Sequence, residues 1–96
     1  MTHYDALGYV ISSKYRRIAL KQLGENPKTP KDVAEDAGFD EMTHVSRGIS
    51  ELRDEGLAEL LVSEDTRKGR FYGLTDDGEE VLESLREREE KRGETA

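Results

Sequence analysis

Between Thr29 and Gly56 the chain carries, in order, a helix start, a glycine stop, a second helix start and a second glycine stop. Thr29 is an N-cap residue type, Pro30 sits at the first helical position, where a missing N–H is harmless, and Asp32 three residues on makes a carboxylate variant of the capping box. The spacing predicts a helix over Pro30–Ala37 that ends at Gly38. Phe39 follows as an apolar anchor in the turn, and Asp40 caps a further helix running to about Glu55, with Gly56 at its exit. Two helices joined across a tight glycine turn make a helix-turn-helix.

The flanking segments are read in the same way. From Ser12 or Ser13, either a suitable N-cap, the apolar positions Tyr15, Ile18, Ala19 and Leu23 recur at helical spacing, and Gly24 is expected to supply a left-handed stop. Residues 1–11 hold Tyr4, Leu7, Tyr9, Val10 and Ile11 without a clean period and with Gly8 among them, so they are expected to pack as an arm or a short helix. Beyond Gly56, residues 57–62 and 70–74 read as two strands around a polar, charged stretch, a β-hairpin with a basic tip. Thr75 caps a last helix whose first turn holds Asp76, Asp77, Glu79 and Glu80, where carboxylates complement the helix dipole. Its apolar stripe of Val81, Leu82 and Leu85 then gives way to charge, so the remainder is expected to project or fray, with residues 93–96 disordered. The resulting division is an arm over 1–12, a domain over 13–86 and a charged, partly disordered helical tail over 87–96, without internal repeats or a dividing linker.

Composition fits one small domain. Leu, Ile, Val and Phe make up 20 of the 96 residues, just above the level at which disorder becomes the default. With no cysteine, a disulfide scaffold, a thiolate zinc site and a thiol nucleophile are excluded. No apolar run is long enough to span a membrane and no signal peptide is recognisable, so a soluble, cytoplasmic chain without membrane partners is expected. The formal charge of -7 argues by itself against a polyanionic partner, but it is unevenly spread. Residues 76–96 carry a net of -5 and residues 1–75 only -2. Acids in excess of both Arg and Lys resemble the surfaces of proteins from salt-loving organisms.

A helical wheel at about 100° per residue gathers Met42, Val45, Ile49 and Leu52 into one buried stripe of the second helix of the pair. Opposite lie Thr43, Arg47, Ser50 and Asp54, with His44 and Ser46 on the flanks. Hydrogen-bonding side chains of modest size with one guanidinium are what a helix needs to enter a major groove, and Arg47 is the type that bonds guanine bidentately. Arg53 completes the candidate set on this helix. The hairpin tip holds Arg67, Lys68 and Arg70 around Gly69, suited to phosphates. Lys28, Thr29 and Lys31 form a third candidate, where the N–H groups of a helix start favour a phosphate oxygen.

The run Thr43-His44-Val45-Ser46-Arg47-Gly48-Ile49-Ser50-Glu51-Leu52-Arg53-Asp54-Glu55-Gly56-Leu57 resembles the recognition-helix signature of MarR-like and ArsR-like winged-helix regulators. Thr29-Pro30-Lys31-Asp32-Val33-Ala34 looks like the start of the preceding helix in those proteins, and Gly69-Arg70-Phe71-Tyr72-Gly73-Leu74-Thr75-Asp76-Asp77-Gly78 like their wing strand leading into a Leu-Thr-x-x-Gly helix start. The resemblance implies an α+β winged helix-turn-helix with a three-helix core, a two-stranded wing hairpin and a C-terminal helix. It also implies a homodimeric partner of double-stranded DNA, with recognition contacts at Thr43, His44, Ser46, Arg47 and Ser50 and wing contacts at Arg67, Lys68 and Arg70. With the acidic composition, small haloarchaeal winged-helix proteins are the relatives expected. Two features depart from the pattern: the N-terminal segment is short and the last apolar stripe stops at Leu85, whereas MarR proteins dimerise through long terminal helices. His3 and His44 lie far apart in the chain, so no metal site is expected, nor any cofactor. The glutamates after Thr75 read as a solvated helix face, and Ser46 has no base on its side of the helix, so no enzyme is expected. A sequence-specific regulator of transcription is the reading, a winged-helix protein-interaction module the alternative, and the small-molecule effector is left open.

Overall fold

In the computed structural model, which describes residues 3–38 and 42–94, the capping box at Thr29 is formed. The Thr29 hydroxyl accepts the Asp32 N–H at 3.1 Å and the Asp32 carboxylate accepts the Thr29 N–H at 3.4 Å. The helix so started, α3 (Pro30–Ala37), ends at Gly38 with φ 77°. The next, α4 (Met42–Asp54), ends in a paired cap: the Gly56 N–H reaches the Arg53 carbonyl at 3.0 Å and the Leu57 N–H the Leu52 carbonyl at 2.9 Å. Gly56 holds φ 75°, a conformation natural to glycine. The expected anchoring by Phe39 and capping by Asp40 lie outside the described residues.

Before this pair come α1 (His3–Ile11) and α2 (Lys14–Glu25), and after it β1 (Ala58–Leu60), β2 (Tyr72–Leu74) and α5 (Asp76–Glu94). The strands pair antiparallel with Ala58 opposite Leu74 and Leu60 opposite Tyr72. Lys28 joins them as an isolated bridge, exchanging backbone hydrogen bonds of 3.1 and 2.9 Å with Tyr72. The architecture is a winged helix-turn-helix: α2, α3 and α4 form the helical core, the hairpin is the wing, and α1 and α5 pack on α2. No helix among the described residues is long and apolar enough to cross a membrane.

Several local expectations give way to packing. Gly24 lies inside α2, where a Cβ would stand 2.2 Å from Leu82 Cδ2, so the glycine admits α5 instead of stopping the helix. The segment expected as an arm or a short helix forms the short helix α1, with Gly8 inside it, and delivers Ala6 and Val10 to the core. The strands are shorter than their apolar runs, because the Leu57 N–H is consumed by the α4 cap and the ladder ends one bond past Leu60, from Leu61 N–H to the Phe71 carbonyl at 2.8 Å. Gly93 and Glu94, expected to be disordered, continue α5. Met42, assigned to the buried stripe, is 49% exposed, since the first turn of α4 opens onto a groove instead of the core.

Candidate nucleic-acid interface

Residues Val45, Gly48, Ile49 and Leu52 are buried where α4 packs on α2, α3 and β1, which turns the opposite face outward. On that face Thr43, His44, Arg47, Ser50 and Asp54 are exposed, and Ser46 is half-buried at its edge. Close packing fixes the helix: a Cβ at Gly48 would stand 3.2 Å from the Tyr15 backbone. Arg16 adds a polar tie, 3.2 Å from Glu51 of α4, with its guanidinium 3.8 Å from the Tyr9 ring centroid of α1.

Each flank of the exposed face is occupied. On one side the Tyr15 ring stacks on His44, centroids 5.0 Å apart and planes 19° apart, and Lys14 Nζ lies 5.4 Å from the Tyr15 centroid. On the other side an open groove of ≈ 590 Å³ runs between the start of α3, the start of α4 and the wing. It brings together Thr29, Lys31, Ser46, Arg67, Lys68 and Arg70 from all three candidate groups, with Pro30, Met42 and Tyr72 supplying apolar walls. Arg67, Lys68 and Lys31 are exposed; Lys31 stands 4.0 Å from Glu35.

The remaining candidates are held differently. Lys28 is buried, its Nζ 2.9 Å from Asp36 and 3.5 Å from Glu25 and bonded also to Gln22, partners enough for its three donors. Burial alone would lower the Lys28 pKa, but the hydrogen bond and charge of Asp36, with Glu25, outweigh it and hold the ammonium above its ordinary value. Lys28 thus ties the wing to the helices instead of joining the groove. Arg53 pairs with Glu64 of the wing loop, and the other Glu64 oxygen lies 3.6 Å from Arg70.

Lys14, Tyr15 and Glu64 are neighbours of this surface that the sequence reading passed over. Only the α2–α4 crossing brings Tyr15 to His44. The available signal was Gly48, since a glycine inside a helix is about 1 kcal/mol worse than Ala and marks a close approach. Among the described residues no group of three or more His, Asp or Glu side chains is placed to hold a metal ion.

No protein-family model matches the chain, and no curated protein is similar to it in sequence. Solved structures are similar to it in fold. A mutant of ZitR from Lactococcus lactis superposes with a TM-score of 0.76 at 18% identity, over 86% of this chain and 56% of that one. FabT of Streptococcus pneumoniae, solved in complex with DNA, gives 0.69 at 19% identity, over 86% of this chain and 58% of that one. The fold is that of the MarR-type winged-helix regulators. A MarR family regulator from Neisseria meningitidis carries the MarR-type fold over 99% of this chain and 78% of its own, with a TM-score of 0.71 at 22% identity. The chain spans 56–58% of the length of the first of these structures.

Proposed function

We propose that this chain is a sequence-specific, double-stranded DNA-binding regulator of transcription that enters the major groove with α4 and lays its wing along the neighbouring backbone. The observation that carries the reading is the convergence of Thr29, Lys31, Ser46, Arg67, Lys68 and Arg70 on one open groove directly beside the exposed Thr43, Arg47 and Ser50. Base-reading and phosphate-binding residue types then form one continuous footprint. Lys14, on the far flank beyond Tyr15 and His44, extends the phosphate contacts across α4. That FabT, of the same fold, was solved in complex with DNA supports the reading. A homodimer would set two α4 helices on half-sites about one helical turn of DNA apart.

Fluorescence anisotropy tests this with a duplex from upstream of the protein's own gene beside a scrambled duplex, titrated over a wide KCl range. Arg47→Ala is expected to cost about 1–3 kcal/mol on the preferred sequence and to relax one base preference. Lys68→Ala is expected to weaken both duplexes alike and to flatten the salt slope by about one unit. Equal effects of the two substitutions would contradict the assigned roles. No binding to either duplex at any salt would turn the reading to a protein-interaction module.

A further inference from the structure

Glu64 stands between two arginines of this surface. One carboxylate oxygen is paired with Arg53 of α4 and the other lies 3.6 Å from Arg70 at the return strand of the wing. The Arg70 Nε is buried without a hydrogen-bond partner. Two converging guanidiniums, one with a donor unanswered, describe an oxyanion site, because a guanidinium fork accepts a carboxylate and a phosphate in the same geometry. Resting on the DNA-binding reading, we infer that Glu64 is an internal stand-in for a backbone phosphate, occupying Arg53 and Arg70 in the free protein and displaced when DNA docks. Glu64 therefore sets how tightly the surface binds.

The displacement is easy for physical reasons. The Glu64 side chain is 68% exposed, and exposed ion pairs are weak and screened by salt. A DNA phosphate can answer the outer nitrogens of both guanidiniums, whereas an undisplaced carboxylate would face the phosphate as a like charge. The opposite role, in which Glu64 holds the arginines ready for DNA, predicts the opposite sign on removing its charge.

The test is anisotropy of a labelled mixed-sequence duplex with the full chain, Glu64→Gln, and Asp65→Asn as the neighbouring acid. Glu64→Gln is expected to raise affinity about three- to tenfold at low salt, a gain that shrinks as KCl screens the pairs. Asp65→Asn, one residue away, is expected to change affinity by less than about twofold. In a background of Arg53→Ala with Arg70→Ala, the gain from Glu64→Gln should vanish. Weaker binding by Glu64→Gln, an equal gain from Asp65→Asn, or a gain surviving without the arginines would each overturn the inference while leaving DNA binding intact. A folded wild-type chain that binds no duplex would overturn the DNA-binding reading and this inference with it.

Discussion

At Lys28 a basic residue lies at the foot of a basic surface while its charge is used inside the molecule. In the sequence, Lys28-Thr29-x-Lys31 reads as a helix start ready for an anion, because Asp36, two turns along α3, and Tyr72, on the wing, are brought to Lys28 only by the fold. Thr29 and Lys31 keep the place the local pattern implied, on the groove. The raised Lys28 value makes a stability prediction. The folded state holds this proton more tightly than the unfolded chain, so the clamp contributes fully below the ordinary value of 10.5 and is lost as pH rises through the folded value. Tyr9, whose hydroxyl is raised by burial and then by Glu51, acts in the same direction and is common to wild type and variant. Lys28→Met should cost about 1–3 kcal/mol in urea denaturation at neutral pH. That gap should narrow once the pH passes 10.5; a gap constant across the alkaline range would show that the Lys28 charge does not support the fold.

The helix boundaries around the turn were legible because each is written in one or two residues: the Thr29–Asp32 box, Gly38 and Gly56 all appear where their chemistry demands. The roles of Gly24 and Gly78 were not, since a glycine's reason there lies in what packs against it. The start of α5 is the clearest instance. Thr75 donates to the Gly56 carbonyl at 2.6 Å and accepts the Gly78 N–H at 3.1 Å, joining the cap of α5 to the exit of α4. A Cβ at Gly78 would stand 2.0 Å from the Leu57 carbonyl oxygen, a backbone atom that cannot step aside. Close approach thus explains the glycine of the Leu-Thr-x-x-Gly start. Gly78→Ala is expected to destabilise by about 1–3 kcal/mol or more. Gly8→Ala, with nothing within 4 Å of the new methyl, is expected to stabilise by about 0.5–1 kcal/mol through its helix propensity. Urea titrations of the two variants check the pair, and like signs would show that helix propensity and close approach had been wrongly weighed. The candidate site was legible in the same uneven way. Its outward face followed from the α4 wheel, whereas the groove, the Glu64 bridge and the Tyr15–His44 stack required the wing and α2 to be brought alongside.

For the molecule as a whole, a charge of -7 and the proposed DNA-binding surface are compatible because of where the charge resides. The acids concentrated after Thr75 lie on α5, which packs on α1 and α2 and touches the wing strand β2. An α-helix rises about 1.5 Å per residue, which places Glu87 and Glu90 roughly 17–21 Å along the axis from Asp76. That is more than twice the Debye length of about 8 Å at physiological ionic strength. Both side chains are exposed, and their neighbour Glu89 is tied to Lys21 of α2 at 2.6 Å, which keeps this end of the helix against the body. Neutralising Glu87 and Glu90 together as glutamines removes two negative charges, twice the change made by Glu64→Gln. Even so, it should alter duplex affinity by less than about twofold at physiological salt, and its effect should grow only when the salt is lowered and the screening length extends. Anisotropy titrations at two ionic strengths decide this. A gain at physiological salt as large as that from Glu64→Gln would mean that net charge, and not the local pairing of Arg53 and Arg70, governs the approach of DNA.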